Sequence, residues 1–430
     1  MATMDTAGDS GRLTTLLRAD AVPMATLRRR YGALLELVRT LIGVVPNCDA
    51  YLEIWPPAFR IYNILVPNFL NLPFSIFGFG GPPAALVGLG MYVASRAAGC
   101  PYCSAHTCSF ALRRGASTEL LARAFTGRDG PLSARELATV AVARSLAKVP
   151  CELTDAERLA FQEQWSKDDA EWVVCGVAMM GFLNKFMDAI GVDLEGSTAA
   201  EAKTALGTEW SPGQAGKNLG EVVATGPPPR DSLWTKLRII PYMPSALRLD
   251  RAWQRGVPQE WPAVGAFLEG KVGHDFPLLS RLRHGRVRRA IASMLRESLD
   301  AGSSVLGLQS KILAGAIFAT VVEDQALMSD LHALAARASV STQELDAATA
   351  FARSPGGAPA AGSQRLHAIW FLARAASPSP ARIDSQVVQA CAASGLSAAA
   401  IVELVSWLAV LQLLHRLHGY FLDRTCSPYG

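Results

Sequence analysis

The feature that most constrains the fold is an internal repeat. Four blocks from the first half of the 430-residue chain recur in the same order in the second half. The matched pairs are 37–55 with 236–253, 116–125 with 340–351, 133–150 with 363–380, and 173–191 with 404–422. Chance similarity between alanine-rich helices can produce one such match, but hardly four in order. The pattern therefore indicates two copies of one unit.

The repeated blocks have the periodicity of helices. Half of all residues are hydrophobic and only 18% are charged, and runs typical of β-strands are few. Leucine, alanine, arginine and glutamate recur at the spacing of one helix face. We therefore predict an all-α protein of two fused helical units, packed against each other as an internal pseudo-dimer.

The predicted domain boundaries follow the repeat and the composition between its copies. A first unit covers 30–195, and a second unit without the cysteines of the first covers 233–424. Residues 196–232 are rich in glycine, proline, serine and threonine, which predicts a linker. Residues 1–29 are interpreted as a tail and lead-in, and 425–430 as a short tail.

Charge and cysteine content argue against several functions. The net charge of +4 is small for this length. Arginines cluster only in short patches such as 281–289, which we interpret as a solvated helix face, so no nucleic-acid partner is expected. The N-terminus lacks a basic region followed by an apolar run, and eight cysteines are too sparse for a disulfide framework. We expect a cytoplasmic protein.

One stretch, 61–95, carries no charge at all. A membrane-spanning helix needs about 20 continuous apolar residues. Here asparagines, prolines and a "GFGG" sequence divide the stretch into short pieces. We therefore predict two buried helices around a Pro/Gly loop, and membrane contact is not expected.

The sequence "GCPYCSAHTCSF" at 99–110 clusters three of the cysteines. Pro101 suits the first position of a helix, where its missing N–H costs nothing. This places Cys100 at the N-cap and Cys103 in the first turn, where the helix dipole favours a thiolate. His106 follows three residues later on the same face. Cys108 falls off that face and is interpreted as a core residue.

This spacing suits thiol redox chemistry. One thiolate attacks a substrate, the second thiol resolves the sulfenate or mixed disulfide, and the histidine moves the proton. Zinc is an alternative with Cys100, Cys103 and His106 as three ligands, but no second Cys-x-x-Cys or His-x-x-x-His pair supplies a fourth. Two core thiols beside a buried histidine are the third interpretation. We expect neither a metal ion nor another cofactor.

The second unit has no cysteine in the corresponding part of the chain, 321–340. His332 in that range is a candidate counterpart of His106. Near the C-terminus, His415 and His418 with Glu403 form a candidate metal set, although the polar edge of a helix is the simpler interpretation.

The blocks "GCPYCSAHT", "RRGASTELL", "LSARELATVAVARSLA" and "GFLNKFMDAIG" together resemble the alkylhydroperoxidase D / carboxymuconolactone decarboxylase family. The resemblance covers about 80–192 and, in weaker form, the second copy, so the chain looks like a tandem duplication with a degenerate second half. It implies an all-α fold that forms homo-oligomers and a thiol peroxidase or disulfide reductase activity.

The resemblance also implies roles for individual residues. Cys103 would attack a peroxide or disulfide substrate, Cys100 would resolve the product, and His106 would carry the proton. An external dithiol, from a thioredoxin-like or lipoyl protein, would then reduce the disulfide. These roles make the predicted enzyme a peroxidase-like oxidoreductase.

The chain departs from the family pattern in two ways. The family's histidine lies one residue farther from the second cysteine, and its upstream glutamate has no counterpart because 61–95 contains no acidic residue. Glu171 and Asp188 are candidate replacements. Two alternative functions stay open: a cofactor-free decarboxylase or isomerase of a small lactone or specialised metabolite, and a non-catalytic redox-sensing scaffold.

Overall fold

The apolar periodicity of this chain produces helices throughout the part that the structure describes. The computed structural model describes residues 11–126, 132–207, 210–354 and 363–422, and no β-strand occurs within them. The all-α prediction is confirmed. The predicted tail at 425–430 and the first ten residues of the N-terminal tail lie outside the described residues.

The helices of the first half and of the segment after it are α1 Thr14–Leu17, α2 Met24–Ile42, α3 Cys48–Leu52, α4 Pro56–Phe69, α5 Phe74–Phe77, α6 Ala84–Ala97, α7 Pro101–Arg113, α8 Thr118–Thr126, α9 Ala134–Ala147, α10 Asp155–Gln164, α11 Lys167–Ile190 and α12 Gly196–Leu206. Those of the second half are α13 Leu233–Ile239, α14 Met243–Trp253, α15 Ala263–Val272, α16 Gly285–Leu299, α17 Leu308–Val321, α18 Gln325–Arg337, α19 Thr342–Arg353, α20 Gln364–Ala376, α21 Ser385–Ala393 and α22 Ala398–Phe421. Three short 3₁₀ helices cover Gly213–Gly216, Ile240–Tyr242 and Pro277–Arg281.

Two runs of six helices have similar lengths in the same order. Helices α6 to α11 have 14, 13, 9, 14, 10 and 24 residues. Helices α17 to α22 have 14, 13, 12, 13, 9 and 24 residues. The duplication and the internal pseudo-dimer stay predictions.

The two long helices α11 and α22 form the centre of the molecule and pack against each other. Each is long and apolar enough to cross a membrane, but 89% of its most apolar window is buried inside the protein. At Gly181 a Cβ would lie 2.8 Å from the carbonyl oxygen of Gln412. The absence of a side chain there lets the two helices approach closely, and the two halves share one hydrophobic core.

The uncharged stretch forms α4 and α6, with the short helix α5 and a glycine-rich turn between them. Both long helices of the stretch are largely buried. The prediction of two buried helices around a Pro/Gly loop is confirmed.

The segment predicted as a linker begins with a packed helix. Helix α12 lies against α7, with Ala199 and Ala202 fully buried. The composition of 196–232 favours loops, but a face of small residues lets α12 pack closely on its neighbour. Tertiary contact therefore stabilises a helix here, which composition alone does not predict.

The interpretation of 281–289 as a solvated helix face holds for the exposed Arg281 and Arg283 but is wrong for the arginines that follow them. Arg288 is buried and donates to the carbonyl oxygens of Gln259 and Leu282. Arg286 donates to the side-chain oxygen of Asn68, at 2.7 Å. An arginine side chain can bond several oxygen atoms inside a protein through its guanidinium group, while its aliphatic part packs against apolar surface. A stretch rich in arginine is therefore not necessarily exposed.

Candidate functional site

The cysteine motif starts α7 as the sequence predicts. Cys100 is the N-cap, with Pro101 at the first helical position, and its Sγ accepts the Cys103 N–H at 3.4 Å. Gly99 has a φ of +70°, and a Cβ there would lie 2.9 Å from Cδ of Pro380. Glycine is therefore required on both counts, and the start of α7 lies directly against a loop of the second half.

An apolar cavity of about 170 Å³ opens beside this helix. Cys103 and His106 line it, together with Cys48 and Tyr102. Cys100 is not among its lining residues. The two thiols of the pair therefore differ in their access to the cavity. A ligand inside it contacts Cys103, whereas Cys100 lies outside the lining.

His106 is paired with a carboxylate from just before α12. Its Nε2 lies 2.7 Å from Oε2 of Glu195. The Tyr102 hydroxyl donates to Oε1 of the same carboxylate at 3.0 Å, and the Asn47 N–H donates to it at 2.5 Å. With Nε2 donating to Glu195, Nδ1 of His106 is left to accept a proton.

The charge of this pair is set by its surroundings. Burial opposes the charged form of Glu195, but His106 and the Asn47 N–H outweigh burial, so the pKa of Glu195 is lowered. Nearby Asp49 is fully buried, and burial together with the Glu195 charge raises its pKa to about 8. Near neutral pH, Glu195 thus carries the negative charge beside His106 while Asp49 holds a proton.

The Cys103 thiol is protonated in the resting protein. Burial, followed by the hydrogen bond and charge of Cys100, raises the pKa of Cys103 well above its usual value. Helix-start geometry alone predicts a lowered pKa, but here desolvation is the larger effect. A base must therefore remove the Cys103 proton when the thiol reacts, and His106 lies on the same helix face three residues away.

Two cations lie behind the thiols at the contact between α11 and α22. Lys185 is buried and donates to the carbonyl oxygens of Ala376 and Ser377 at 2.8 and 2.7 Å. Burial lowers the pKa of Lys185 to about 7. Arg416, from α22, is fully buried, and burial lowers its pKa to about 10, whereas the charges of Cys151, Cys103 and Cys100 act in the opposite direction.

Arg416 has little local compensation for its charge. Its Nη1 donates to the carbonyl oxygen of Val177 at 2.9 Å, but Nε and Nη2 have no hydrogen-bond partner among the described residues. An unpaired buried cation is costly. Negative charge forming on a nearby thiol would offset that cost.

Neither candidate replacement for the family's glutamate contacts His106. Glu171 accepts the backbone N–H groups of Arg283 and His284 at 2.7 and 2.8 Å. Asp188 accepts the N–H of Ala381 at 2.5 Å, and burial raises its pKa to about 6. Glu195 holds the position beside the histidine instead.

The other sequence candidates lie apart from the cavity. Cys108 is buried, and burial raises its pKa to about 12, in line with a core residue. Glu403 is buried beside Lys311 at 2.7 Å, whereas His415 and His418 both bond Asp324. The three residues therefore do not form a common site.

No three His, Cys, Asp or Glu side chains of the described ranges are arranged as metal ligands.

His332, the predicted counterpart of His106, is exposed. Counted from the N-cap of each helix, Asp330 holds the position in α18 that His106 holds in α7.

Glu195, Cys48 and Arg416 are among the site residues that sequence reasoning missed. Glu195 stands at the edge of a loop-like segment, and Cys48 is isolated in sequence, so neither carries a local signal. Arg416 lies in the repeat block that matches 173–191. A charged residue in such an apolar helix is the one signal that was available.

The chain matches no protein-family model and no curated protein. Among solved structures, it is similar to the crystal structure of the debrominase Bmp8 in its apo form, with 20% identity and a TM-score of 0.38, over 43% of this chain and 95% of that one. A cysteine-to-alanine variant of Bmp8 in complex with 2,3,4-tribromopyrrole gives 19% identity and a TM-score of 0.36, over 42% and 92%. TM-scores this low do not establish a shared fold or a shared activity.

Proposed function

We propose that the chain is a thiol-dependent oxidoreductase of the alkylhydroperoxidase or disulfide-reductase type. The observation that carries the proposal is the placement of Cys103 and His106 in one apolar cavity, with Cys100 one helical turn behind and outside it. Cys103 is the attacking thiol, Cys100 the resolving thiol and His106 the base.

The reaction with a hydroperoxide has two steps. His106 takes the Cys103 proton, and the thiolate attacks the terminal oxygen, so that an S–O bond forms and the O–O bond breaks. The alcohol leaves with the proton returned by His106. The Cys100 thiol then attacks the sulfenic sulfur, an S–S bond forms, and water leaves.

A disulfide substrate reacts at the same atoms. Cys103 attacks one sulfur, a mixed disulfide forms, and the substrate's other sulfur leaves as a thiol; Cys100 then displaces the remaining half. In either case an external dithiol, such as a thioredoxin-like or lipoyl protein, reduces the Cys100–Cys103 disulfide by exchange and is itself oxidised. No cofactor takes part in these steps.

Glu195 supports this function by orienting His106. Its carboxylate bonds Nε2 and leaves Nδ1 as the proton acceptor, the arrangement by which a carboxylate fixes a histidine tautomer. The apolar cavity keeps water from the sulfenic acid between the two steps.

The test is turnover of an organic hydroperoxide with a recycling dithiol, for wild type, Cys103→Ser, Cys100→Ser and His106→Ala. We expect no turnover from Cys103→Ser. Cys100→Ser should react once and leave a sulfenic acid on Cys103 that dimedone traps. His106→Ala should lose about 100-fold or more in rate.

Cys108→Ser is the matched control, because Cys108 is a buried cysteine of the same helix that does not line the cavity. It should keep wild-type turnover. Full activity in Cys103→Ser would contradict the proposal.

One observation favours a second candidate, a cofactor-free decarboxylase or isomerase. The His106–Glu195 pair in an apolar cavity is an acid–base device that needs no thiol. This candidate predicts that Cys103→Ser retains proton exchange on a small carbonyl compound while His106→Ala loses it.

A further inference from the structure

An exposed apolar stripe runs along α13 and the 3₁₀ helix that follows it. Leu233 and Trp234 are 72% and 75% exposed, and Leu237 and Ile240 are 43% and 46% exposed. Their spacing places them on one side of the helical segment. Such residues have no role in the cavity or in the thiol chemistry.

The opposite side of this segment is apolar as well. Ile239 is fully buried against Leu41 and Ile76, and Met243 lines the cavity. Apolar residues thus occupy two opposite sides of the segment, and Lys236 and Arg238 lie between them. Here one side already lies in the core, and the other faces outward.

A second exposed apolar element adjoins the first. Phe74, the first residue of α5, and Phe79, just after that helix, are 54% and 68% exposed. Ile76 of α5 and Ile239 of α13 belong to one small buried cluster with Leu41. We call Phe74, Phe79, Leu233, Trp234, Leu237 and Ile240 the apolar cap. Soluble proteins seldom expose so many large apolar side chains together unless the surface binds something.

The charges carried by α13, the 3₁₀ helix after it and the first half of α14 have one sign. Residues 232–249 include Lys236, Arg238 and Arg248 but no acidic residue. The two acidic residues that bound this range are engaged: Asp231 pairs with Arg114 at 2.9 Å, and Asp250 accepts from Asn68 at 2.8 Å. The surface therefore suits an anionic partner.

This charge pattern disfavours pairing with a second copy. A two-fold contact would bring the same cations of both copies together without acidic residues of the cap to compensate them. A bilayer with anionic headgroups fits better, because tryptophan and leucine side chains enter the interface while lysine and arginine reach the headgroups.

We propose that the apolar cap is a peripheral membrane-binding surface for anionic lipid bilayers. Binding there brings the α13–α14 wall of the cavity to the lipid, because Ile239 and Met243 on its inner side line the cavity. Apolar molecules dissolved in the bilayer then have a short route to the cavity. The surface is independent of the thiol chemistry proposed above.

The test is flotation of the full-length protein with vesicles of phosphatidylcholine alone or mixed with phosphatidylglycerol. We expect wild type to float with the mixed vesicles and to be released by high salt. Trp234→Ser/Leu237→Ser should bind at least about tenfold more weakly. Lys236→Gln/Arg238→Gln/Arg248→Gln should lose the preference for anionic vesicles.

Leu159→Ser is the matched control, since Leu159 is 59% exposed on α10, outside the apolar cap. It should float like wild type, and all variants should melt at the wild-type temperature. Absence of wild-type flotation, or equal flotation of the cap variant, overturns the proposal. A wild-type dimer that the cap variant converts to monomer, without flotation, overturns it too and assigns the surface to a second copy.

Discussion

The N-terminal ends of α7 and α18 hold matching places in the two helix runs and are built from different chemistry. Each helix has 13 residues, follows a 14-residue helix and contacts the long helix of its own half. In both, the N-cap side chain accepts the N–H three residues on: Cys100 Sγ from Cys103 at 3.4 Å, and Asp324 Oδ1 from Leu327 at 2.9 Å.

The surroundings of the two caps differ more than the caps themselves. Asp324 also bonds Nδ1 of His415 and of His418 at 2.9 and 3.0 Å. The Cys100 cap of α7 has no histidine partner among the described residues, and the cavity beside the helix is lined by Cys103 of its first turn. A carboxylate cap held by two histidines stabilises the helix start, whereas a weak thiol cap leaves it available for reaction.

The next acid–base pair is reversed between the two halves. His106 pairs with Glu195 from outside α7, and Asp330, at the corresponding position of α18, pairs with His274 at 2.7 Å. Under the proposed function, the start of α7 serves reactivity, whereas the start of α18 stabilises the fold. The predictions below test that difference.

The largest effect is expected at the carboxylate cap. Asp324→Ala should lower the free energy of unfolding by about 3–5 kcal/mol, because two buried histidines and the helix end lose their partner. Cys100→Ser, the matched change in α7, should cost less than about 1 kcal/mol. Urea unfolding measures both. Equal losses would show that the two caps are equivalent.

The stability of the protein in acid should depend on the same carboxylate cap. Burial opposes the charged form of Asp324, but His418 and His415 outweigh it and hold its pKa far below the usual value. Its contribution is therefore complete above about pH 4, the pKa of an unfolded aspartate, and is lost as the pH falls below that. Between pH 6 and acid, the free energy of unfolding should fall less steeply with pH in Asp324→Asn than in wild type. An unchanged slope would show that other groups cause the acid sensitivity.

The histidine pair of the first half should affect activity more than stability. Glu195→Gln should reduce turnover about 10- to 100-fold, because the neutral amide neither fixes the His106 tautomer nor stabilises its protonated form. Hydroperoxide turnover with the recycling dithiol measures this loss. Glu201→Gln is the control, since Glu201 bonds Arg113 and Ser109 away from His106.

The smallest effect is expected from the cation that the second half contributes. Arg416→Met should raise the pKa of the Cys103 thiol further, because the buried positive charge that favours the thiolate is removed. The pH dependence of Cys103 alkylation by iodoacetamide measures this value. Arg416→Lys keeps the charge and should restore most of the wild-type profile; a profile unchanged in both variants would leave Arg416 a purely structural role.

The start of α7 could be predicted from the sequence because every signal for it is local. Pro101, the cap position of Cys100 and the spacing of His106 all lie within one helix, and backbone geometry alone brings them together. The same reasoning predicted the buried helices of the 61–95 stretch, since chain breaks and apolar runs are also local signals.

The partners of these residues could not be predicted in the same way. Glu195 reaches His106 across 89 positions of sequence, and Arg416 comes from the other half of the chain. Patterns within a short stretch of sequence do not predict contacts between such distant residues. The predicted thiolate at Cys103 also depends on such contacts, because burial raises the pKa of Cys103 more than the helix start can lower it.

By itself, the sequence determined an all-α chain and the helix that carries Cys100, Cys103 and His106, because these depend on periodicity and capping. Only the tertiary structure decided which thiol faces the cavity, which carboxylate holds the histidine and which cation lies behind the pair. Those features depend on how α7, α11, α12 and α22 pack. Burial and charge at such contacts arise between segments that are distant in sequence, so they exist only in the folded chain.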